Sequence, residues 1–179
     1  MKVGMDRMGI LIQDLLALTR VEEEATSVLK SKINISDLVI DTSELMESVA
    51  LEKGLEFNYD VDSNIMIESN SEIWKSIITI LLDNAIKYTE DNKDITISLK
   101  EDKKKVYCSI QNYGHLLTKE ESNRIFDRFY RIDASRSKEV EGHGLGLSLA
   151  KTLVEQIEGR IHVESSISNG NIFTIIIEK

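Results

Sequence analysis

The segment SEIWKSIITILLDNAIKYTEDN, residues 71–92, repeats its apolar positions at helical spacing, and the chain then changes period at once. DITISLKE and KVYCSIQN alternate apolar with polar residues and are joined by the charged turn DKKK, the pattern of a hairpin of half-buried strands. A long helix capped by Ser71, with Ile77, Leu81 and Ala85 pointing inward, needs an apolar surface to cover. Packing such helices on strands made mostly by hairpins gives a two-layer α/β sandwich of the α+β kind.

The same signals recur on both sides. KINIS is a short strand, and SDLVIDTSELMESVALEKG is a helix capped by Ser36 or Asp37 and stopped by Gly54. LEFNYDV and NIMIES are strands flanking a turn at Asp62 to Asn64. LGLSLAKTLVEQIEG is a helix closed by Gly159, followed by strands RIHVESS and GNIFTIIIE. The expected fold is therefore a mixed, largely antiparallel sheet packed on about three helices. From Tyr113 to Gly142 the chain is polar and irregular apart from the cluster IFDRFYRI, and a loop of that length is usually functional. Ahead of all this, Met5, Met8, Leu11, Ile12, Leu15 and Leu18 form one stripe of an amphipathic helix, with a domain boundary near residues 22–31. The chain has no proline, so element limits rest on glycine, polar clusters and changes of period.

Charge narrows the function. A formal net charge of −9 works against sequence-independent attachment to nucleic acid, which needs Lys and Arg against phosphates. No run approaches the length of a bilayer span, and the N-terminus lacks the apolar core of a signal peptide, so a soluble cytoplasmic chain is expected. The single Cys108 excludes an internal disulfide and sits in the alternating run VYCSI, where it serves as a small core hydrophobe.

Two stretches carry chemistry. In GHGLGLSLAK, residues 142–151, bare backbone lets N–H groups approach an anion closely, and a helix beginning near Leu145 aims its positive end there. No strand leads into these glycines, which sets them apart from a dinucleotide fingerprint; without a ligand they would be a hinge and helix start. On the long helix, Asn84, Lys87 and Tyr88 share one ridge at i, i+3 and i+4. An amide oxygen, an ammonium and a phenol ring suit magnesium, phosphate and an aromatic base or sugar, although a solvated helix face has the same composition.

ILLDNAIKYT resembles the N box of bacterial sensor histidine kinases, IFDRFYRIDASRS the F box and start of the ATP lid, and GHGLGLSLAKTLVEQIEGRIHV the G2 box, in matching order and spacing. The resemblance runs from about residue 32 to the end. It implies an ATP-binding catalytic domain of the Bergerat fold over residues 32–179, with a long ATP lid. Residues 1–31 would then be the end of the second helix of a dimerisation domain. ATP and Mg²⁺ are the implied cofactors. Asn84 is the implied magnesium ligand, Lys87 a phosphate contact and Tyr88 a packing surface for the nucleotide. Gly142, His143, Gly144, Leu145, Gly146 and Leu147 would form the phosphate-facing end of the lid. Arg131 and Arg136 would stabilise phosphate charge, as the guanidinium fork suits phosphate oxygens. Thr174 would line the adenine pocket, and Phe126, Phe129 and Tyr130 would anchor the lid.

The resemblance has departures. QNYGHLLTKEES occupies the place of the G1 box, where Asn112 and Gly114 stand in for the usual aspartate and glycines. An amide can accept the adenine amino group as a carboxylate does, with a bond weaker by about 1 kcal/mol and with less secure rejection of guanine. Ile80 replaces a first asparagine of the N box, so magnesium should depend more on Asn84 and water, with Mg-ATP affinity in the high micromolar range or weaker. The histidines are His115, His143 and His162, all within the ATP-domain part, so the acceptor histidine is expected on a dimerisation domain absent from this chain. The resemblance thus implies a full-length homodimer anchored in the plasma or inner membrane as a sensor, with a response regulator as partner. The alternative is a scaffold module of the same fold with impaired nucleotide binding.

Overall fold

The computed structural model describes residues 29–91, 93–132 and 144–179. The expected N-terminal helix, Arg136, Gly142 and His143 lie outside the described residues. In chain order the elements are β1 (Ser31–Asn34), α1 (Ile35–Glu52), β2 (Phe57–Val61), β3 (Met66–Ser69), α2 (Ser71–Tyr88), β4 (Ile95–Glu101) and β5 (Lys105–Asn112), followed by α3 (Lys119–Arg124), α4 (Gly146–Gln156), β6 (Arg160–Ser166) and β7 (Gly170–Glu178). Five strands form one sheet in the order β2-β4-β5-β7-β6, and β1 pairs with β3 in a small second ribbon. All pairs are antiparallel except β2 with β4. The two-layer α+β reading therefore holds, with α1, α2 and α4 covering one face and the short α3 burying no residue.

Three local expectations are corrected. β2 and β3 do not pair across their turn: β3 joins β1, and β2 runs parallel to β4, a pairing that needs a crossover and uses α2 for it. The helix caps fall one to three residues earlier than expected. Asn34 caps α1 by accepting from the N–H of Ser36 at 3.1 Å, and Asn70 caps α2 by accepting from the N–H of Ile73 at 3.0 Å. Ser36 is diverted from capping because its hydroxyl donates to the Asp62 carbonyl (2.6 Å) and accepts from the N–H of Ile65 (3.0 Å), pinning the β2–β3 turn. At the end of α4 it is Glu158, not Gly159, that takes the left-handed conformation, at φ 60°.

The core follows the two periods. Trp74, Ile77, Ile78, Leu81, Leu82, Ala85 and Ile86 are the buried stripe of α2. They meet Ile95, Ile97 and Leu99 of β4, Val106, Cys108 and Ile110 of β5, and Phe173, Ile175 and Ile177 of β7. The Trp74 indole N–H donates to the Ser69 hydroxyl at 3.0 Å, so the largest core side chain leaves no polar atom orphaned. The opposite face of the sheet is largely polar, with Ile172 and Ile176 of β7 as half-buried exceptions. Ser98, Ser109, Thr174 and His162 stand side by side across β4, β5, β7 and β6, as suits an antiparallel sheet with one solvated face.

Candidate functional site

The alternation of β5 buries Val106, Cys108 and Ile110 and then, by the same parity, a polar residue. Asn112 is 2% exposed, and its side-chain oxygen has no hydrogen-bond partner among the described residues. A buried acceptor left unpaired costs about 1–3 kcal/mol. Its register partner is Asn171 of β7, and the two amides differ sharply. Asn171 accepts from the Ser165 hydroxyl at 2.6 Å and donates to the His115 carbonyl at 3.0 Å, so its orientation is fixed at both ends.

The loop after β5 is pressed onto the end of α2. A Cβ on Gly114 would stand 2.1 Å from the Tyr88 carbonyl oxygen, and the Glu90 N–H donates to the Tyr113 carbonyl at 2.7 Å. This contact joins Asn112 to the ridge of α2. There Asn84 is half-buried, Lys87 is partly exposed and Tyr88 is 47% exposed. The Asn84 amide is free of side-chain hydrogen bonds among the described residues. Lys87 is not free: its ammonium donates to the Asp83 carboxylate at 2.6 Å, an i, i+4 pair. Lys87 also lines an open hollow of about 330 Å³ with Lys53, Leu55, Ile86, Thr89 and Asp91, which shares no other residue with the predicted site.

α4 opens without a side-chain cap, its first helical residue being Gly146 and its cap position Leu145. The Leu145 side chain is buried at 2% exposure and Leu147 packs partly against the core, so these leucines offer only backbone N–H groups. Gly144 has φ 73°, and a Cβ there would stand 2.8 Å from the Tyr130 carbonyl oxygen. The Phe129 N–H closes this contact by donating to the Gly144 carbonyl at 3.0 Å. A Cβ on Gly146 would lie 3.6 Å from the Ile80 side chain, so the mouth of α4 faces α2 one turn before Asn84. Asn84 and the start of α4 are thereby brought together.

Some expectations separate from this cluster. Thr174 is on the polar face of the sheet, where its hydroxyl pairs with that of Ser109 at 3.1 Å. Asn112 is on the helix-facing side, so Thr174 cannot line a pocket around Asn112 through its side chain; the register puts Asn171 and Phe173 on that side instead. Of the aromatic anchors, Phe126 packs edge-on against Phe173 with ring centres 6.3 Å apart. Tyr130 is covered by the Arg124 guanidinium at 4.5 Å, whereas the Phe129 ring is 55% exposed and its hold is through backbone. Arg131 is half-buried.

Sequence reasoning missed Gly170, Asn171 and the whole of α3. A Cβ on Gly170 would stand 2.3 Å from the Asn112 carbonyl oxygen, so that glycine lets the start of β7 press against the backbone at Asn112. α3 begins with a capping box in which the Thr118 N–H donates to the Glu121 carboxylate at 2.7 Å and the Glu121 N–H donates to the Thr118 hydroxyl at 3.2 Å. The signal for it was the Thr-Lys-Glu-Glu run itself. The Thr118 N–H, with His115 near by, holds the Glu121 carboxyl below its usual range. Burial pushes the Cys108 thiol up to about 12, so it is an inert core group.

Comparison with known proteins agrees with this fold. Residues 70–179 match the family described as histidine kinase-, DNA gyrase B-, and HSP90-like ATPase, and the chain belongs to that family. Within it the chain is of the sensor histidine kinase type. It is 31% identical to the signal transduction histidine-protein kinase ArlS of Staphylococcus haemolyticus over 97% of this chain and 40% of that protein. It is 36% identical to the sensor protein DltS of Streptococcus agalactiae over 87% of this chain and 39% of that one. The chain thus spans about two fifths of the length of these curated relatives. Among solved structures, full-length ShkA in complex with AMPPNP superposes with a TM-score of 0.82 at 25% identity, over 96% of this chain and 35% of that one. The nucleotide-free catalytic domain of the histidine kinase ThkA gives 0.73 at 26% identity, over 84% and 95%.

Proposed function

We propose that this chain binds Mg-ATP between the Asn84 ridge of α2 and the mouth of α4, with the adenine at Asn112, and presents the γ-phosphoryl to a histidine on a dimerisation hairpin. The observation that carries this reading is the buried, unpaired oxygen of Asn112, an acceptor that matches an adenine amino group. The donor set also fits the metal. The described residues include no cluster of three His, Cys, Asp or Glu side chains able to hold an ion, and magnesium beside a nucleotide needs only one or two protein oxygens, the rest coming from phosphate and water. Asn84 supplies such an oxygen. When bound, ATP provides the transferable phosphoryl group and the metal neutralises its charge.

The chain's own groups then act by position and charge. The N–H groups from Leu145 to Leu147 face the phosphates, where the positive end of α4 favours an anion. Lys87 turns from Asp83 to phosphate, a cheap exchange because exposed i, i+4 pairs are worth about 0.3–0.5 kcal/mol. Arg131 adds charge, and the sequence adds Arg136, Gly142 and His143 from outside the described residues. Residues 1–31 belong to the dimerisation hairpin and 32–179 to the catalytic domain. The whole protein is a homodimeric membrane sensor that passes phosphate to a response regulator. Among the described residues no helix is long and apolar enough to cross a membrane, in keeping with a catalytic part outside the bilayer.

Calorimetry with Mg-ATP on the wild type and on Asn84→Asp tests the site. Saturable binding in the high micromolar range, changed at least about fivefold in the variant, is expected for a metal-ligand position. Supplying a dimerisation hairpin with its histidine and detecting phosphohistidine then tests the kinase reading, and absence of label despite binding would leave the scaffold.

A further inference from the structure

The amide of Asn112 is unlocked. It is buried to 2% exposure, its oxygen has no partner, and its nitrogen donates to no group among the described residues. Directly across the register, Asn171 shows what a locked amide looks like in this sheet, held through Ser165 on one side and His115 on the other. Asn112 has no such pair of bonds among the described residues: Ile110 precedes it on the same face, and a Cβ on Gly114 would lie 3.8 Å from its nitrogen. Among the described residues no hydrogen bond therefore selects which end of the amide points at a ligand.

From this we infer that Asn112 makes the base site ambivalent, so that nucleoside triphosphates with a 6-oxopurine base bind alongside adenine nucleotides. The inference deepens the nucleotide reading above and rests on it. Adenine presents a donor at its 6-amino group and an acceptor at N1, and an amide meets them with its oxygen and its NH₂. A 6-oxopurine presents the reverse pair, a carbonyl acceptor and an N1–H donor. The same amide turned over meets that pair equally well. A carboxylate cannot, because it only accepts, and it would face the 6-carbonyl as one acceptor against another.

The test is calorimetric titration of the whole chain with the magnesium complexes of ATP, ITP and GTP, at one pH and salt concentration, for the wild type and Asn112→Asp. For the wild type, ATP and ITP are expected to bind within about tenfold of each other, and the Asp variant should widen that gap to about a hundredfold or more. ITP lacks the 2-amino group, so binding of ITP with loss of GTP still supports the proposal and assigns the loss to crowding at C2. Exclusion of ITP by the wild type with ATP bound overturns the proposal, as does a gap that Asn112→Asp leaves unchanged. Failure of every nucleotide, ATP included, overturns the nucleotide reading itself and is a distinguishable result. Should Asn112→Asp unfold, Asn112→Ser serves in its place: a hydroxyl both donates and accepts, so its ATP-to-ITP ratio should stay within about threefold of the wild type, and a hundredfold rise would count against us.

Discussion

Gly114→Ala is the perturbation whose size the structure defines best. The added Cβ would meet the Tyr88 carbonyl oxygen at 2.1 Å, about 0.9 Å inside the 3.0 Å that Cβ atoms keep. Both partners are backbone, so no side chain can swing aside; either the loop after β5 lifts or the end of α2 bends. Overpacking of this kind costs about 1–3 kcal/mol, and lifting the loop also stretches the Glu90–Tyr113 hydrogen bond, worth about 1 kcal/mol. The sum of about 2–4 kcal/mol corresponds to a fall in Tm of roughly 5–15 °C for a chain of this size. Asn112 lies two residues upstream, so the base contact proposed for it would move with the loop, and Mg-ATP affinity should drop at least about tenfold. Gly54→Ala is the control. It has φ +69° and open space around its Cβ position, so it should cost about 1 kcal/mol of stability and leave nucleotide binding alone. Thermal melts and calorimetry on the two variants decide the matter. A Gly114→Ala protein with wild-type Tm and wild-type affinity would show that the loop does not set the position of Asn112.

Other perturbations probe separate parts. Asp83→Asn should free Lys87 and tighten Mg-ATP about twofold at low salt, and a tenfold loss in calorimetry would mean that the pair positions Lys87 for phosphate. Ile80→Asn removes a half-buried contact with the mouth of α4 and should lower stability by about 1–2 kcal/mol in urea melts, while Mg-ATP affinity rises; an unchanged affinity would place residue 80 away from the phosphates. Glu121 titrates below its usual range when folded, so its contribution is complete above about pH 4.3 and is lost as the pH falls through the folded value. Amide protection of α3 should therefore fade in acid, and Glu121→Gln should remove that pH dependence. Cys108, pushed up to about 12, should resist iodoacetamide at pH 8 until urea unfolds the chain, and native-state alkylation at the rate of a free thiol would contradict its burial.

What could be read from the chain, and what could not, divides by the range of the interaction. α1, α2 and α4 were legible because each carries an apolar stripe that only helical spacing explains. The burial of Asn112 was legible in the same way, two residues beyond Ile110 on an alternating strand. Caps were misread where asparagine and serine stand together. Both can cap, and the choice at Ser36 was made by Asp62 and Ile65, far along the chain. β2 looked like the partner of its neighbour, whereas its parallel pairing with β4 depends on how α2 crosses the sheet. α3 has no buried residue and so no period, yet its capping box was present in the letters. Thr174 went wrong by one position of register. Nothing local to β7 tells which face its residues take until Asn171 is set opposite Asn112.

The replacement of a carboxylate by Asn112 and of an amide by Ile80 suggested decay of the site, and the geometry argues otherwise. Ile80 is not a hole in a polar cluster; it is the apolar contact against which the first turn of α4 rests. Asn112 forgoes charge assistance worth about 1 kcal/mol, but a carboxylate in the same buried position would have to shed its hydration in the free protein, at a cost of several kcal/mol. The neutral amide sheds less, and its unpaired oxygen still leaves about 1–3 kcal/mol to be recovered when a donor arrives. On the nucleotide reading proposed above, the two substitutions therefore favour a stable empty domain that gains its binding energy on filling. A scaffold that had lost its ligand would be under no such constraint, and the simplest way to relieve it would be an apolar residue at position 112.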